Sequence, residues 1–437
     1  MATQTQSAKL LARRQAIVAN GVSNINSITI DRANGATFVD LDGREFLDFA
    51  GGIGVLNAGH CPEPVVAAIR EQAGKFLHSS FNVVTYEPYV ALCEKLAKKL
   101  PHGERTKALL VTTGAEAVEN AIKIAKQATG RQGVLCFSDA FHGRTLMAMS
   151  LTSKINYKLN CGPFAPEVYR LPFPNYYRYG NGRSMDTFVA DELMNLDENA
   201  HSNFDPQNLA AVIVELIQGE GGFNPIPHKY LEGLRSFCDN HGILLIVDEV
   251  QSGFGRTGHW ASWQHYGVEP DLSTYSKSIA SGMPIAAVLG KAEIMDSAAP
   301  GTIGGTFIGN PVCCAAALAT IAYMEKEKLN ERSVKIGNKL AHRLEKMKEA
   351  NPQIGDVRGL GAMRAIEFVK NNDPRQPDAM FCAAVISKCR DQGLILLVAG
   401  IHKNIIRMLC PLIITDEQLT KGMDILEAVI NKNKTIV

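Results

Sequence analysis

Short apolar runs alternate with longer stretches of helical period through the middle of this chain. "GVLCFS" begins at 133, "LAAVIVEL" at 209, "ILLIVDEV" at 243 and "PIAAVLG" at 284. Uninterrupted apolar runs of this length, set between helix-length segments, predict buried parallel strands joined by helical crossovers. Residues 36–50, "ATFVDLDGREFLDFA", predict two short strands turning at Asp42-Gly43. The pattern from 63 to 128 reads as helical. Residues 162–205 are polar, with Pro, Tyr and Asn, and predict an insertion or a long active-site loop. From 313 the chain is helical up to Asn351-Pro352, and a last α+β stretch follows. The expected fold class is α/β, with a mostly parallel central sheet flanked by helices. A large domain is expected at 63–325. A smaller α+β domain is expected from the N-terminal segment 1–62 and the C-terminal segment 326–437.

Bulk properties narrow the chemistry. At 437 residues the chain exceeds what one compact core usually holds. Lys+Arg at 45 against Asp+Glu at 44 leave +1, which favours neither nucleic acid nor an anionic membrane and points to a small-molecule partner. The start, "MATQTQSAKLLARRQ", lacks the apolar core of a secretory signal. No run reaches the roughly 18 apolar residues of a membrane span. A cytoplasmic protein is expected. Ten cysteines with no CxxC spacing predict buried free thiols and no metal site.

Three features carry candidate chemistry. The first is "VTTGAEAVENAIKIAKQATG" at 111–130, where Thr113 can cap a helix and Glu116 completes a capping box. Gly114 and Ala115 then lie at the amide end, where small residues admit an anion to free N–H groups. The second is the apolar strand that runs into Asp248-Glu249, an acid at a strand end where ligands of open parallel sheets sit. The third is Lys277 in "STYSKSIASGMP", among hydroxyls and small apolar groups with no nearby carboxylate. Desolvation favours the neutral amine, which attacks carbonyl carbon. A phosphate cradle, an acid for a pyridinium nitrogen and a Schiff-base lysine are what pyridoxal phosphate requires. "FHGRT" adds an aromatic, Phe141, to stack on a flat ring and Arg144 to clamp a carboxylate. His142 reads equally well as a satisfied structural histidine and as a cofactor neighbour. "GFGRTG" at 253–258 matches a dinucleotide-binding pattern followed by Asp271. An acidic pair and "VQS" separate it from its strand, and "HWASWQHYG" is a weak helix start, so that reading is set aside.

In order, these stretches resemble class III (subgroup II) aminotransferases over nearly the whole chain, with the closest likeness to bacterial 4-aminobutyrate aminotransferases. The matching pieces are "FLDFAGGIGVLNAGH", "TTGAEAVENAIKIAK", "FHGRT", "VELIQGEGGF", "LLIVDEVQSGFGRTG", "YSKSIASGMP", "GGTFIGNP" and "IIRMLCPL". The resemblance implies the fold type I architecture of pyridoxal-phosphate enzymes, with Lys277 holding the cofactor and shuttling a proton. Asp248 would hold the pyridinium proton, and Val250 and Phe141 would flank the ring. Gln251 would bond near the phenolic oxygen. Gly114 and Ala115 would hold the phosphate, with Thr306 reaching it from a neighbouring subunit, which implies a homodimer or a tetramer built from dimers. Arg144 would take the substrate's far carboxylate. Arg407 would take the carboxylate beside the reacting carbon, and Glu220 would pair with Arg407 when that carboxylate is absent. Ile53 would suit a substrate with plain methylenes. The implied reaction moves the amine of an ω-amino acid, 4-aminobutyrate first, to 2-oxoglutarate, giving succinate semialdehyde and glutamate. The alternatives are 5-aminovalerate, acetylornithine and ornithine. Phe141 in place of the usual Tyr leans toward acetylornithine. Ala115 replaces a usual Ser, and "VEL" a usual "IEP".

Overall fold

The computed structural model describes residues 5–433. Its central sheet contains β1 (Thr106–Val111), β2 (Gly133–Phe137), β3 (Val168–Leu171), β4 (Leu209–Val214), β5 (Leu244–Asp248), β6 (Leu272–Tyr275) and β7 (Ala286–Lys291). Their spatial order is β1-β7-β6-β5-β4-β2-β3. The strands from β6 across to β3 pair in parallel. Every residue of β2 and β4 is buried, as strands covered on both faces must be. Helix α1 (Gly114–Thr129) covers part of one face with Ala117, Val118, Ala121, Ile122, Ile124 and Ala125. Small residues on that stripe let the helix lie close to the sheet.

Several expectations need correction. β7 was expected to run parallel, but it is antiparallel to both β6 and β1. The stretch 63–128 is not all helical, because β1 lies inside it at one edge of the sheet. An edge strand is covered less, so Lys107 is exposed in it and breaks the apolar run. β6 is fully buried although two of its four residues are Ser273 and Thr274. Residues 162–205 are not one loop. They hold β3 and an 18-residue helix, Met185–Ser202, which buries only Phe188, Val189 and Leu196 and therefore reads as polar. Cys61 and Cys161 are exposed, contrary to the expectation of buried thiols.

The ends of the chain meet beside this sheet. Strands Thr37–Val39 and Glu45–Asp48 pair antiparallel through the Asp42-Gly43 turn. Leu47 then pairs with Leu394 in parallel, joining the N-terminal hairpin to the C-terminal part. A second four-stranded sheet consists of Ile354–Leu360, Met363–Phe368, Leu397–Ala399 and Ile405–Met408. Residues of "GFGRTG" tie these pieces together. Arg256 is fully buried and donates to the Cys410 carbonyl at 2.8 Å and to the Asn57 side chain. The helical turn that follows spans only Ser262–His265. No helix among the described residues is long and apolar enough to cross a membrane.

Candidate active site

The carboxyl ends of the parallel strands open into a cleft of about 560 Å³. β1 leads into the amide end of α1, β2 into Phe141 and His142, β4 into Glu215, β5 into Asp248, and β6 into Lys277. The cleft is lined by the residues just beyond these strand ends, Gly114, Ala115, Phe141, His142, Glu215 and Lys277 among them, and of the strands themselves only β5 contributes, through Asp248. The topology alone therefore collects side chains more than a hundred residues apart.

At one end of the cleft α1 presents its first turn. Thr113 Oγ1 accepts from Glu116 N at 3.2 Å, and Glu116 Oε2 accepts from Thr113 N at 3.2 Å and Thr112 N at 2.7 Å. This box leaves the Gly114 and Ala115 end of the helix open to the cleft. Gly114 packs tightly against the cleft wall: a Cβ there would lie 3.0 Å from Val250 Cγ1 and would press that side chain aside by a few tenths of an ångström. Gly143, at φ 136°, is confined in the same way: its Cβ would meet Ala115 Cβ at 2.7 Å. Glycine at 143 is thus a packing requirement of the "FHGRT" turn against the start of α1.

Asp248 is buried at the cleft's centre. One oxygen accepts from His142 Nδ1 at 2.7 Å. The other accepts from Val250 N at 3.0 Å and Thr274 Oγ1 at 3.1 Å. The far ring nitrogen of His142 is buried with no partner. Gln251 lines the same wall, with its amide nitrogen 3.4 Å from the Ile53 carbonyl and its Oε1 buried and unpartnered.

Lys277 opens a single 3-10 turn, Lys277–Ala280, and its φ is 48°, in the left-handed region. Side chains other than Gly and Asn seldom adopt this conformation, which holds of order 1–3 kcal/mol of strain. Lys277 makes no ion pair among the described residues. Burial pushes its amine below the ordinary lysine range, and Arg407 adds to the effect while Glu220, Glu215 and Asp248 oppose it.

Glu215 was not anticipated as a site residue. It is buried, and its two oxygens accept from Phe141 N and Gly219 N, each at 2.8 Å. Burial, with Asp248 nearby, pushes its carboxyl above the usual range against the pull of His142. The signal was present: "LAAVIVEL" runs into an acid just as "ILLIVDEV" does.

The other end of the cleft is built around cations. Arg144 is exposed, its guanidinium lies 5.6 Å from the Tyr157 ring centre, and no carboxylate pairs with it among the described residues. Arg407 is buried on the C-terminal sheet and meets Glu220 Oε1 at 2.8 Å. Glu220 Oε2 meets Lys154 Nζ at 3.0 Å and the Tyr157 hydroxyl at 3.4 Å. Burial raises the Glu220 carboxyl, but Arg407 and Lys154 outweigh it and bring the value down to about 2. Lys154 and Tyr157 carried no pattern that singled them out in the sequence. Ile53 lines the cleft in the turn Gly51–Gly54, at φ 68°. Thr306 does not line the cleft of its own chain; its carbonyl accepts from His78 at 2.9 Å.

Comparison with known proteins adds to this geometry. The family described as "Aminotransferase class-III" matches residues 17–430. The chain is 48% identical over 419 residues to the 5-aminovalerate aminotransferase DavT of Pseudomonas putida, covering 96% of this chain and 97% of that protein. It is 45% identical over 427 residues to the 4-aminobutyrate aminotransferase GabT of Escherichia coli, covering 98% and 99%. Among solved structures, the taurine:2-oxoglutarate aminotransferase of Bifidobacterium kashiwanohense, in complex with PLP and glutamate, superimposes with a TM-score of 0.91. That pair is 28% identical and covers 99% of each chain.

Proposed function

The chain belongs to the class-III aminotransferases, and on that premise we propose that it moves the amine of 4-aminobutyrate to 2-oxoglutarate, giving succinate semialdehyde and glutamate. The cofactor is pyridoxal 5′-phosphate. The cleft suits such a group: an open helix start for the phosphate, a buried carboxylate for the ring nitrogen and an unpaired amine. When bound, the cofactor supplies an electrophilic carbon and an electron-withdrawing ring.

The residues divide the remaining work. Gly114 and Ala115 offer backbone N–H groups to the phosphate. Val250 and Phe141 would confine the ring between them, and Gln251 would turn its amide N–H, now 3.4 Å from the Ile53 carbonyl, to the ring's oxygen edge. Asp248, oriented by His142, holds the proton of the ring nitrogen. Lys277 Nζ, kept short of its usual basicity by burial, is the amine that would hold the cofactor and would carry a proton to and from the substrate carbon. Glu215 braces the Phe141 and Gly219 backbones. In this reading segment 63–325 is the cofactor-binding unit, and the described parts of 1–62 and 326–437 form the smaller unit that brings Arg407.

The Glu220–Arg407 pair at 2.8 Å beside an unpaired Arg144 is the observation that carries this reading. An ω-amino acid has one carboxylate, far from the reacting amine, and Arg144 is free to take it. A 2-oxo diacid has a second carboxylate beside the reacting carbon, and Arg407 takes that one once Glu220 lets go. An arginine left unpaired beside a plain methylene would be costly, and Glu220 removes that cost in the first half-reaction.

Chain assembly belongs to the same proposal. Leu77, Val83 and Phe307 are 64%, 77% and 64% exposed. They lie on adjoining segments linked by the His78–Thr306 bond and the His78–Phe307 ring contact. An apolar patch of this kind fits a second copy of the chain. In such a homodimer Thr306 reaches the partner's phosphate end.

The test uses purified protein loaded with cofactor. 4-Aminobutyrate alone should abolish the visible absorbance of the lysine-bound cofactor, and 2-oxoglutarate should restore it. 5-Aminovalerate, favoured by the likeness to DavT, and N-acetylornithine are run in parallel. If only one of these two abolishes the band, the donor assignment changes and the reaction class stands. If no amine does, the reaction class falls.

A further inference from the structure

Glu220 is held by two cations, and exchange at Arg407 involves only one of them. Oε1 belongs to Arg407 at 2.8 Å, and Oε2 belongs to Lys154 at 3.0 Å, with the Tyr157 hydroxyl on the same side at 3.4 Å. The first bond can therefore break while the second stays. Resting on the reading of Arg407 as the site for the carboxylate beside the reacting carbon, we propose that Lys154 is the residue that keeps Glu220 when a 2-oxo acid takes Arg407. Lys154 is thus a positioning residue that sets affinity for the diacid.

Three observations support this role. The first is charge: one carboxylate now lies between two cations, so an incoming carboxylate makes two of each and leaves neither cation nor anion unpaired. Displacing a partly buried carboxylate with no second partner would leave a stranded charge, which costs more than a new pair returns. The second is burial. The Lys154 and Glu220 side chains are 17% and 14% exposed, so water replaces neither partner fully. Neither Lys154 nor Arg407 lines the cleft itself, whereas Glu220 and Tyr157 do, so Glu220 stands between the cleft and both cations; it is the only acid that pairs with Lys154 among the described residues. A substrate carboxylate therefore reaches Arg407 only once Glu220 turns aside, and Lys154 is the cation left to hold it there. The third is the backbone. The Glu220 carbonyl accepts from Gly400 N at 3.0 Å, Gly219 N donates to Glu215 at 2.8 Å, and the Gly219 carbonyl accepts from Arg407 at 3.2 Å. The main chain is anchored on both sides, so the exchange falls to the Glu220 side chain alone.

The experiment compares holoenzyme carrying Lys154→Met, Lys154→Arg, Glu220→Gln and the double change Glu220→Gln with Lys154→Met. Lys154→Gln stands in if the methionine variant does not fold. With only Arg407 left to hold it, Glu220 competes harder against the diacid. Lys154→Met should raise KM for 2-oxoglutarate by about tenfold and weaken calorimetric binding of glutarate to the same degree. The half-reaction with 4-aminobutyrate should change by less than about twofold. Lys154→Arg should restore the diacid values, and in the Glu220→Gln background Lys154→Met should add nothing. Unchanged 2-oxoglutarate KM and glutarate binding in Lys154→Met, while Glu220→Gln alters the balance between substrates, would overturn this inference and leave the Arg407 reading intact. An equal loss for both substrates that persists in the Glu220→Gln background would also overturn it. If Glu220→Gln leaves both substrates unaffected, the Arg407 reading and this inference fall together.

Discussion

Two residues in the cleft hold backbone conformations that their side chains disfavour. Ile53 is β-branched and sits at φ 68° between Gly52 and Gly54, which have φ of 62° and 76°. Such a residue in the left-handed region stores about 1–3 kcal/mol. Ile53→Gly releases that strain and adds about 0.4–1 kcal/mol of unfolded-state freedom. The melting temperature should therefore not fall, whereas KM for 4-aminobutyrate should rise; a scanning melt and initial rates check both. Lys277 titrates in a way that can be read from stability. Its amine is pushed below 10.5, so the unfolded chain binds the proton more readily than the folded one. Stability of cofactor-free protein contributed by this group is full above 10.5 and is lost as pH falls through the lowered value. Urea unfolding across that range should show a rise with pH that Lys277→Met lacks.

Among the elements, helix α1 depends most on its first turn. Thr113→Ala removes one half of the capping box and should cost about 1 kcal/mol. The amides it steadies are those offered to the phosphate, so cofactor dissociation should quicken in the same variant, as dialysis against buffer would reveal. This helix was legible from the sequence because cap, box and apolar stripe are local signals. β2, β4 and β5 were legible as well, since strands covered on both faces must be apolar throughout. β6 escaped because Ser273 and Thr274 are buried polar residues with internal partners: Ser273 meets His102, and Thr274 meets Asp248. The helix Met185–Ser202 escaped because it buries one narrow stripe.

For the whole molecule, the proposed assembly is open to direct test. Leu77→Asp combined with Val83→Asp should halve the mass seen by sedimentation and lower cofactor affinity, because Thr306 would no longer reach a partner. An unchanged mass would remove the dimer reading. The pairing of Arg407 with Glu220 is also a property of the whole chain. The arginine sits on a strand of the C-terminal sheet and the glutamate follows β4. The buried Arg256 bonds to Asn57 and Cys410, joining the two chain ends to the central sheet's loop.

The sequence by itself determined the α/β class, the acid at the end of β5, the capped anion-ready helix and the isolated lysine, because each is written in neighbouring residues. Its ordered motifs also named Ile53, Arg144, Glu220 and Arg407. Tertiary structure alone decided the antiparallel β7, the second acid Glu215 among the cleft residues, and Lys154 as a second cation on Glu220. Those depend on which strands lie side by side and on which charges are buried together. Local pattern carries no information on either, since both are set by contacts between segments far apart in the chain.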